Sequence, residues 1–142
     1  MESVSKKGAR RKTAFSDDEK GLAAFRVEGY LEKRNKRGTW QKRWFYANNR
    51  YLNYSKGPDK PVIGSMNLTE TETIELGERK GEFHLAFFDG SEYTLRCDTK
   101  AKDPHAPDVY RWLKCLEERK GYYENISRFS VEQRASLMEK NE

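Results

Sequence analysis

Sulfur and imidazole groups are scarce in this sequence. It has two cysteines, Cys97 and Cys115, and two histidines, His84 and His105, among 142 residues. The cysteines have neither the spacing of zinc ligands nor the number of a disulfide framework. No partner residue turns either histidine into a catalytic dyad, and no glycine-rich phosphate loop is present. We therefore expect two buried free thiols in a reducing compartment, a non-catalytic protein, and no metal or cofactor.

Long hydrophobic runs are also missing. No stretch of about 18 apolar residues occurs, so the sequence predicts no transmembrane helix. No apolar stretch follows the first basic residues, so we expect no secretory signal peptide. Hydrophobic residues make up 35% of the chain and charged residues 36%, and the apolar ones are concentrated in residues 27–120. These features predict one cytoplasmic domain with polar tails.

Positive charge is abundant in the first half of the chain. Residues 1–27 hold seven cations and four anions, and residues 28–60 hold nine cations and three anions. Residues 61–142 hold twelve cations and sixteen anions. This polarity favours an anionic partner that meets one face of the molecule.

Both ends of the chain are polar. Residues 1–24 are basic and lack apolar periodicity, which predicts a mostly disordered arm, and a capping box at Ser16 indicates one short helix within it. The arm is either a solubilising tail or a second membrane contact. Residues 126–142 form a polar tail, in which a second capping box at Ser130 favours a weakly amphipathic helix.

Between these two polar ends, the hydrophobic periodicity changes once, from that of strands to that of a helix. Alternating apolar and polar residues over residues 27–97 predict seven antiparallel strands, and Asn48-Asn49 and Asp89-Gly90 are typical of tight turns. The period then becomes helical, and Gly121 is predicted to cap the helix at its C-terminus. The apolar face of that helix consists of Val109, Trp112, Leu113 and Leu116.

A sheet of seven strands must close or pack against another layer to cover its edges, and one helix can cover one barrel end. The segments "EGYLEKR", "WQKRWFYA" and "RYLNYS", followed by a helix with Trp112, resemble the pleckstrin-homology domain family. The resemblance covers about residues 25–122 of a domain that we place at residues 25–125. It implies a mainly β fold: a seven-stranded, nearly orthogonal antiparallel barrel or sandwich, capped by a C-terminal α-helix with Trp112 and Leu116 packed on the barrel end.

The alternation along two strands predicts where the cations point. If Phe45 faces the inside of the barrel, so do Arg43 and Gln41, whereas Lys42 faces outwards. Lys33 shares the inward face of the first strand. Lys33 and Arg43 therefore face a common space at the open end of the barrel, and two cations without an acidic neighbour favour an anion between them.

The family resemblance implies the same kind of site. Phosphoinositide-binding members carry a lysine near the end of the first strand, two basic residues on the second strand and often a tyrosine on the third. Lys33, Arg43 and Tyr54 match three of these positions. Gln41 occupies the remaining one and Lys42 points the other way, so both are accessory candidates.

Two further segments bear on this site. The loop after the first strand carries Arg34, Lys36 and Arg37, which add general attraction of about 1 kcal/mol per cation near an anionic leaflet. The entry of the fourth strand, Val62-Ile63-Gly64, lacks the basic residue that members selective for 3-phosphorylated headgroups often carry. The resemblance therefore implies modest affinity and selectivity.

The leading functional hypothesis is a monomeric, peripheral membrane module that binds phosphoinositide or other anionic phospholipid headgroups. The alternative is a protein-interaction module that uses sheet edges or the groove beside the helix. Nucleic acid is a weaker alternative, because Trp40 and Trp44 are expected to pack in the barrel rather than stack on bases.

Overall fold

Seven strands and one long helix make up the described part of the chain. The computed structural model describes Leu22, residues 25–98 and residues 103–140, with only the helical backbone described over residues 129–140. The predicted N-terminal arm, residues 1–24, lies outside the described residues apart from Leu22, which is buried. The elements are β1 (Glu28–Arg34), β2 (Trp40–Asn48), β3 (Tyr51–Ser55), β4 (Val62–Asn67), a 3-10 turn (Leu68–Glu70), β5 (Thr71–Leu76), β6 (Glu82–Phe87), β7 (Glu92–Cys97) and α1 (Val109–Lys140).

The strands form one antiparallel sheet in the order β4-β3-β2-β1-β7-β6-β5, so β4 and β5 are its edges. Inward side chains from every strand meet in a single core cluster, which requires the sheet to curl around itself. The strand residues of this cluster are Leu31, Phe45, Ala47, Leu52, Met66, Ile74, Phe83, Leu85 and Leu95. The predicted architecture of seven antiparallel strands and a C-terminal helix is confirmed.

Both predicted tight turns are present, although the first is shifted by one residue, because Asn48 ends β2 and Asn49 and Arg50 form the turn. Asn49, between β2 and β3, has a φ of 53°, which asparagine adopts more readily than most residues. In the β6–β7 turn, the Asp89 carboxylate accepts hydrogen bonds from the backbone N–H of Ser91 at 2.8 Å and from its hydroxyl at 2.6 Å. The left-handed Asn49 and the bonds to Asp89 are typical of tight hairpin turns, and the register of the two hairpins determines which side chains face inwards.

Helix α1 packs one face on the core. Asp108 caps its first turn, because its carboxylate accepts a hydrogen bond from the backbone N–H of Arg111 at 2.8 Å. The Trp112 ring stacks with that of Phe83 at 6.4 Å between centroids. Trp112 and Leu116 both belong to the core cluster, as expected.

The predicted end of the helix at Gly121 is wrong. The residues from Ser130, for which the sequence favoured a helix, are helical, but they are part of α1 rather than a helix that starts there. Helix α1 continues without a break to Lys140. Tyr123, two residues beyond the glycine, is buried, and its hydroxyl donates to Asn49 Oδ1 at 3.4 Å. This packing stabilises the helix past Gly121 and offsets the roughly 1 kcal/mol that glycine costs relative to alanine.

Replacing Gly121 by alanine is expected to raise the free energy of unfolding by about 0.5–1 kcal/mol. An added Cβ would meet no heavy atom within 4 Å, so the methyl group lowers the entropy of the unfolded chain without a clash. Urea denaturation measures the change. An unchanged or lower stability would mean that α1 is interrupted at this position in solution.

Trp40 and Trp44 lie outside the barrel core, contrary to expectation. Both are half-buried on the outer face of β2. The guanidinium carbon of Arg96 lies 3.9 Å from the Trp40 ring centroid, and Tyr30 packs edge-on against Trp44 at 5.0 Å between centroids. Contacts across the outer surface of the sheet therefore hold both indoles.

Both cysteines are free thiols, but only Cys115 is buried, whereas Cys97 is half-buried. Burial raises the pKa of both, and together with the nearby Asp108 charge it raises the pKa of Cys97 to about 11. Since the thiolate is the reactive form, neither side chain is a good nucleophile at neutral pH.

Candidate anion-binding site

Strand register places Lys33 and Arg43 on the inner face of the sheet. Arg43 lies directly opposite Leu31, and Lys33 lies opposite Gln41. Leu31 is fully buried, and residues directly opposite each other share a face. Lys33 follows two positions after Leu31 and points the same way, so both cations face the interior where β1 ends. Each is half-buried.

Two tyrosine rings flank the Lys33 ammonium group. Its Nζ lies 5.6 Å from the Tyr54 ring centroid and 5.4 Å from the Tyr93 ring centroid. The Tyr54 ring stacks on that of Phe45, with 5.2 Å between the two centroids. We refer to Lys33, Arg43, Tyr54 and Tyr93 as the cationic mouth.

The cationic mouth carries positive charge that no acidic side chain of the described residues pairs with. Among the described residues, no carboxylate forms an ion pair with Lys33 or Arg43. Burial lowers the pKa of Lys33, and the positive charge of Arg43 lowers it further. The folded protein therefore holds the Lys33 proton less tightly than the unfolded chain does. The charged lysine destabilises the fold most below its folded-state pKa, and this effect disappears as the pH rises from that pKa to the higher pKa of the unfolded chain. A bound anion would remove this penalty.

Arg43 and Tyr54 supply hydrogen-bond donors to the cationic mouth. The Arg43 Nη1 donates to the Lys42 carbonyl at 2.8 Å, which fixes one edge of its guanidinium group. Burial and the neighbouring Tyr93 raise the pKa of Tyr54, although Arg43 acts in the opposite direction. The Tyr54 hydroxyl thus stays protonated at neutral pH, and it can donate a hydrogen bond to a phosphate oxygen.

Gly64 on β4 makes room for the Tyr54 ring. A Cβ built at Gly64 would lie 2.6 Å from atoms of that ring, a distance at which one of the two must move. Gly64 also lies opposite Tyr54 in the register of β3 and β4. A side chain at this position would therefore require the Tyr54 ring or the β4 backbone to move, so a cation does not fit here without a local rearrangement.

The β1–β2 loop is held in a defined shape with its cations in solvent. The Asn35 Oδ1 accepts hydrogen bonds from the backbone N–H groups of Arg37 at 3.0 Å and Thr39 at 2.9 Å. Arg34, Lys36 and Arg37 are exposed. These three predicted site residues lie near the end of β1 in solvent, outside the half-buried cluster.

The two accessory candidates lie on opposite faces of β2. Gln41 is opposite Lys33 in the register and adds a neutral amide on the inner face. Lys42 is on the outer face, where its Nζ lies 4.7 Å from the Tyr30 ring centroid and 3.9 Å from the Asp98 carboxylate. The structure thus separates Lys42 from the cationic mouth, as the strand alternation indicates.

Comparison with known proteins identifies the fold. The family model described as the PH domain matches residues 25–120. The chain belongs to the PH domain family. A comparison with curated proteins finds no match.

Solved structures of PH domains resemble this one. The PH domain of human TBC1 domain family member 2 has a TM-score of 0.57 and 23% identity, covering 70% of this chain and 84% of that one. The C-terminal PH domain of pleckstrin, in complex with D-myo-Ins(1,2,3,5,6)P5, has a TM-score of 0.54 and 20% identity over 66% of this chain and 92% of that one. The Slm1 PH domain, in complex with D-myo-inositol-4-phosphate, has a TM-score of 0.53 and 20% identity over 65% and 92%. At these identities the likeness concerns the fold.

Tyr93 is the one member of the cationic mouth of this PH domain that the sequence pattern does not single out. Its place beside Lys33 depends on the pairing of β1 with β7, in which Lys33 lies opposite Leu95. Tyr93 is two positions before Leu95 and shares its face. Alternation within β7 predicts that face, but the pairing of two strands about 60 residues apart is a tertiary feature that local pattern does not carry.

A separate groove with a cavity volume of about 970 Å³ lies on the outer face of β2, beside the start of α1. Trp44, Tyr46 and three prolines contribute its apolar lining, and none of the residues of the cationic mouth takes part. Its charged lining mixes both signs: Arg26, Lys60 and Arg111 with Glu28, Asp59 and Asp108. The groove therefore does not select an anion.

Other kinds of site are not found in the described part of this PH domain. No group of three or more histidine, cysteine or acidic side chains there could hold a metal ion. Within the same residues, no helix combines the length and the apolar character needed to cross a bilayer.

Proposed function

We propose that this PH domain is a non-catalytic, cytoplasmic membrane-targeting module that binds phosphoinositide or other anionic phospholipid headgroups as a monomer. The observation that carries the proposal is the pair Lys33 and Arg43, half-buried on one face with no carboxylate partner among the described residues. Two such cations repel each other unless an anion lies between them. Charge-assisted hydrogen bonds to a phosphate would satisfy both.

Two neighbours of the same fold support this ligand class. The solved pleckstrin and Slm1 PH domains are complexes with inositol phosphates. In the present chain, Lys33, Arg43 and the Tyr54 hydroxyl would contact the phosphates, and Gln41 would contribute an amide. Arg34, Lys36 and Arg37 would attract the surrounding anionic leaflet through their field.

We expect modest affinity and selectivity. The inner face of β2 offers one cation, Arg43, because Gln41 is neutral and Lys42 points away. On β4, the Tyr54 ring lies over Gly64 and excludes a further cation. The number of direct phosphate contacts is therefore small.

Single removals of charge test whether the cationic mouth is a headgroup site. Lys33→Ala and Arg43→Ala are each expected to weaken binding of soluble inositol tetrakisphosphate by about tenfold to a hundredfold. Lys36→Ala and Arg37→Ala delete the same charge from the exposed loop, and each should cost about threefold or less. Isothermal titration calorimetry gives the four dissociation constants.

Two controls separate binding from folding. Lys33→Ala should keep or raise the melting temperature, because burial and Arg43 disfavour the charged lysine in the folded state. Gln41→Lys should raise the affinity, whereas Gln41→Ala should change it little. Equal losses from the four alanine variants would reject a defined headgroup site in favour of diffuse surface charge.

Protein binding remains the second candidate, and the groove beside α1 is the observation that favours it. Its aromatic and proline-rich lining with charges of both signs suits a peptide better than a phosphate. The calorimetric experiment distinguishes the two functions, since a module that binds only proteins should show no binding of soluble inositol tetrakisphosphate.

A further inference from the structure

We propose that Tyr93 is a positioning residue of the headgroup site: with Tyr54, it holds the Lys33 ammonium group between two rings and leaves the N–H groups of that lysine to a phosphate. This inference rests on the proposed function and gives a role to the one residue of the cationic mouth that has no phosphate contact in it. The Lys33 Nζ lies 5.4 Å from the Tyr93 ring centroid and 5.6 Å from the Tyr54 ring centroid. Both distances are within the roughly 6 Å over which the face of an aromatic ring attracts a cation.

The two rings stabilise Lys33 in a way that does not compete with an anion. The lysine is half-buried, and burial together with Arg43 disfavours its charged form. A carboxylate would stabilise the charge, but it would also repel an anionic ligand and accept the hydrogen bonds of the ammonium group. An aromatic face attracts the ammonium group through its quadrupole and carries no net charge. Among the residues that the structure describes, no acceptor takes a hydrogen bond from Lys33, so its N–H groups can reach a phosphate.

The Tyr93 ring is held in place by strand β6 and by the β6–β7 turn. Tyr93 lies opposite Leu85 in the register of β6 and β7, and Leu85 is fully buried, so both residues share the inner face. The Phe87 ring packs edge-on against the Tyr93 ring at 5.6 Å between centroids. The turn before Tyr93 is closed by a hydrogen bond from the Phe87 backbone N–H to the Ser91 carbonyl at 2.9 Å. A ring anchored in this way can restrict the flexible side chain of Lys33.

The expected gain for binding is pre-organisation. A lysine side chain that is mobile in the free protein loses rotamer freedom when it contacts a phosphate, and this loss weakens binding. Contacts with two anchored rings restrict Lys33 before the ligand arrives. The hydrogen bond from Arg43 Nη1 to the Lys42 carbonyl restricts the second cation in the same state. Both cations of the cationic mouth are therefore held in place without a ligand.

Two substitutions of Tyr93 separate its ring from its hydroxyl. Tyr93→Leu keeps an apolar side chain beside Phe87 but removes the ring from Lys33, and it should weaken binding of soluble inositol tetrakisphosphate by about fivefold. Tyr93→Phe keeps the ring face and removes only the hydroxyl, so its affinity should stay within about twofold of the unchanged protein. Isothermal titration calorimetry measures both, and circular dichroism verifies that each variant is folded.

A double-mutant cycle tests whether Tyr93 acts through Lys33. In a chain that already carries Lys33→Ala, the further change Tyr93→Leu should alter the affinity by less than about twofold, because the side chain that Tyr93 positions is gone. Losses that add in the double variant would overturn the proposal, since Tyr93 would then act on the ligand or on the fold independently of Lys33.

Nuclear magnetic resonance provides a measurement that needs no ligand. Ring currents above two aromatic faces shift the resonances of the Lys33 Cε protons upfield. Tyr93→Leu should move these resonances towards those of an ordinary solvated lysine, whereas Tyr93→Phe should leave them nearly unchanged. Lys33 resonances without an upfield shift in the unchanged protein would show that the rings do not hold the lysine in solution, which would overturn the proposal.

Tyr30→Leu is the matched control. Tyr30 lies on the outer face of β1, opposite Trp44, and its ring centroid is 4.7 Å from the Lys42 Nζ. The substitution therefore removes the same kind of contact between a tyrosine ring and a lysine, but outside the cationic mouth. It should leave the affinity for inositol tetrakisphosphate unchanged.

The remaining outcomes distinguish the role of Tyr93 from the proposed function. Equal losses from Tyr93→Leu and Tyr93→Phe would overturn the positioning role, because the hydroxyl would then contact the ligand. Unchanged affinity of Tyr93→Leu would overturn it as well, while headgroup binding by Lys33 and Arg43 would stand. If the unchanged protein does not bind inositol tetrakisphosphate, the proposed function itself fails, and the role of Tyr93 in it fails too.

Discussion

Replacing Trp112 by alanine is expected to lower the free energy of unfolding by about 3–5 kcal/mol. Trp112 is 1% exposed and stacks with Phe83. Its ring also lies within 3.7 Å of the position of a Cβ built at Gly29 on β1. The alanine variant would leave a cavity between α1 and the sheet. Urea denaturation monitored by circular dichroism measures the loss.

Tyr110→Ala is the control for this substitution. Tyr110 lies in the same turn of α1 but is 67% exposed, so removing its ring should change stability by about 0.5 kcal/mol or less. A Trp112→Ala loss below about 1 kcal/mol would mean that α1 does not cover the core.

Arg119→Ala is expected to cost about 2–5 kcal/mol through a different mechanism. Arg119 is fully buried on α1. Its Nε donates to the Phe25 carbonyl at 3.1 Å, and its Nη1 donates to the Asn49 carbonyl at 3.1 Å. The guanidinium group thus joins the helix to the segment before β1 and to the β2–β3 turn. Removing it leaves a cavity and two carbonyl groups without these donors.

The same experiment on Arg111 isolates the effect of burial. Arg111 is on the same helix, and its Nη2 also donates to a backbone carbonyl, that of Arg26, at 3.1 Å. It is exposed, so water can replace the lost bond, and Arg111→Ala should cost about 1 kcal/mol or less. Equal losses from the two arginine variants would show that the buried position of Arg119 does not matter. Arg119→Lys should be intermediate, since one ammonium group lacks the fork that reaches two carbonyl groups.

The strands of this protein could be predicted because their pattern is local. Alternation over residues 27–97 and the two turns at Asn49 and Gly90 agree with the register of the sheet. The end of α1 could not be predicted in the same way. Gly121 is a typical cap, but Tyr123 packs against the β2–β3 turn, where the Arg50 guanidinium carbon lies 5.2 Å from its ring centroid. Tertiary packing therefore overrides the local preference.

The candidate site was likewise predictable only where its features depend on local sequence pattern. Strand alternation predicts that Lys33 and Arg43 share a face and that Lys42 does not, because this needs only the parity of residues on two consecutive strands. The place of Tyr93 and the close approach of Tyr54 to Gly64 depend on how distant strands pair and on where a ring fits. Alternation along β2 also places Trp44, the neighbour of the inward Phe45, on the outer face. The expectation that Trp44 packs in the barrel was wrong, because its ring packs against Tyr30 on that outer face.

The uninterrupted course of α1 has a mechanical consequence. The family match ends at residue 120, whereas the helix continues to Lys140. At a rise of about 1.5 Å per residue, this continuation is a rod about 30 Å long. A tilt of the barrel by about 10° would swing the far end of such a rod through about 5 Å. A small change in the orientation of the barrel is thus amplified at Lys140 into a displacement larger than the distance between two side chains in contact.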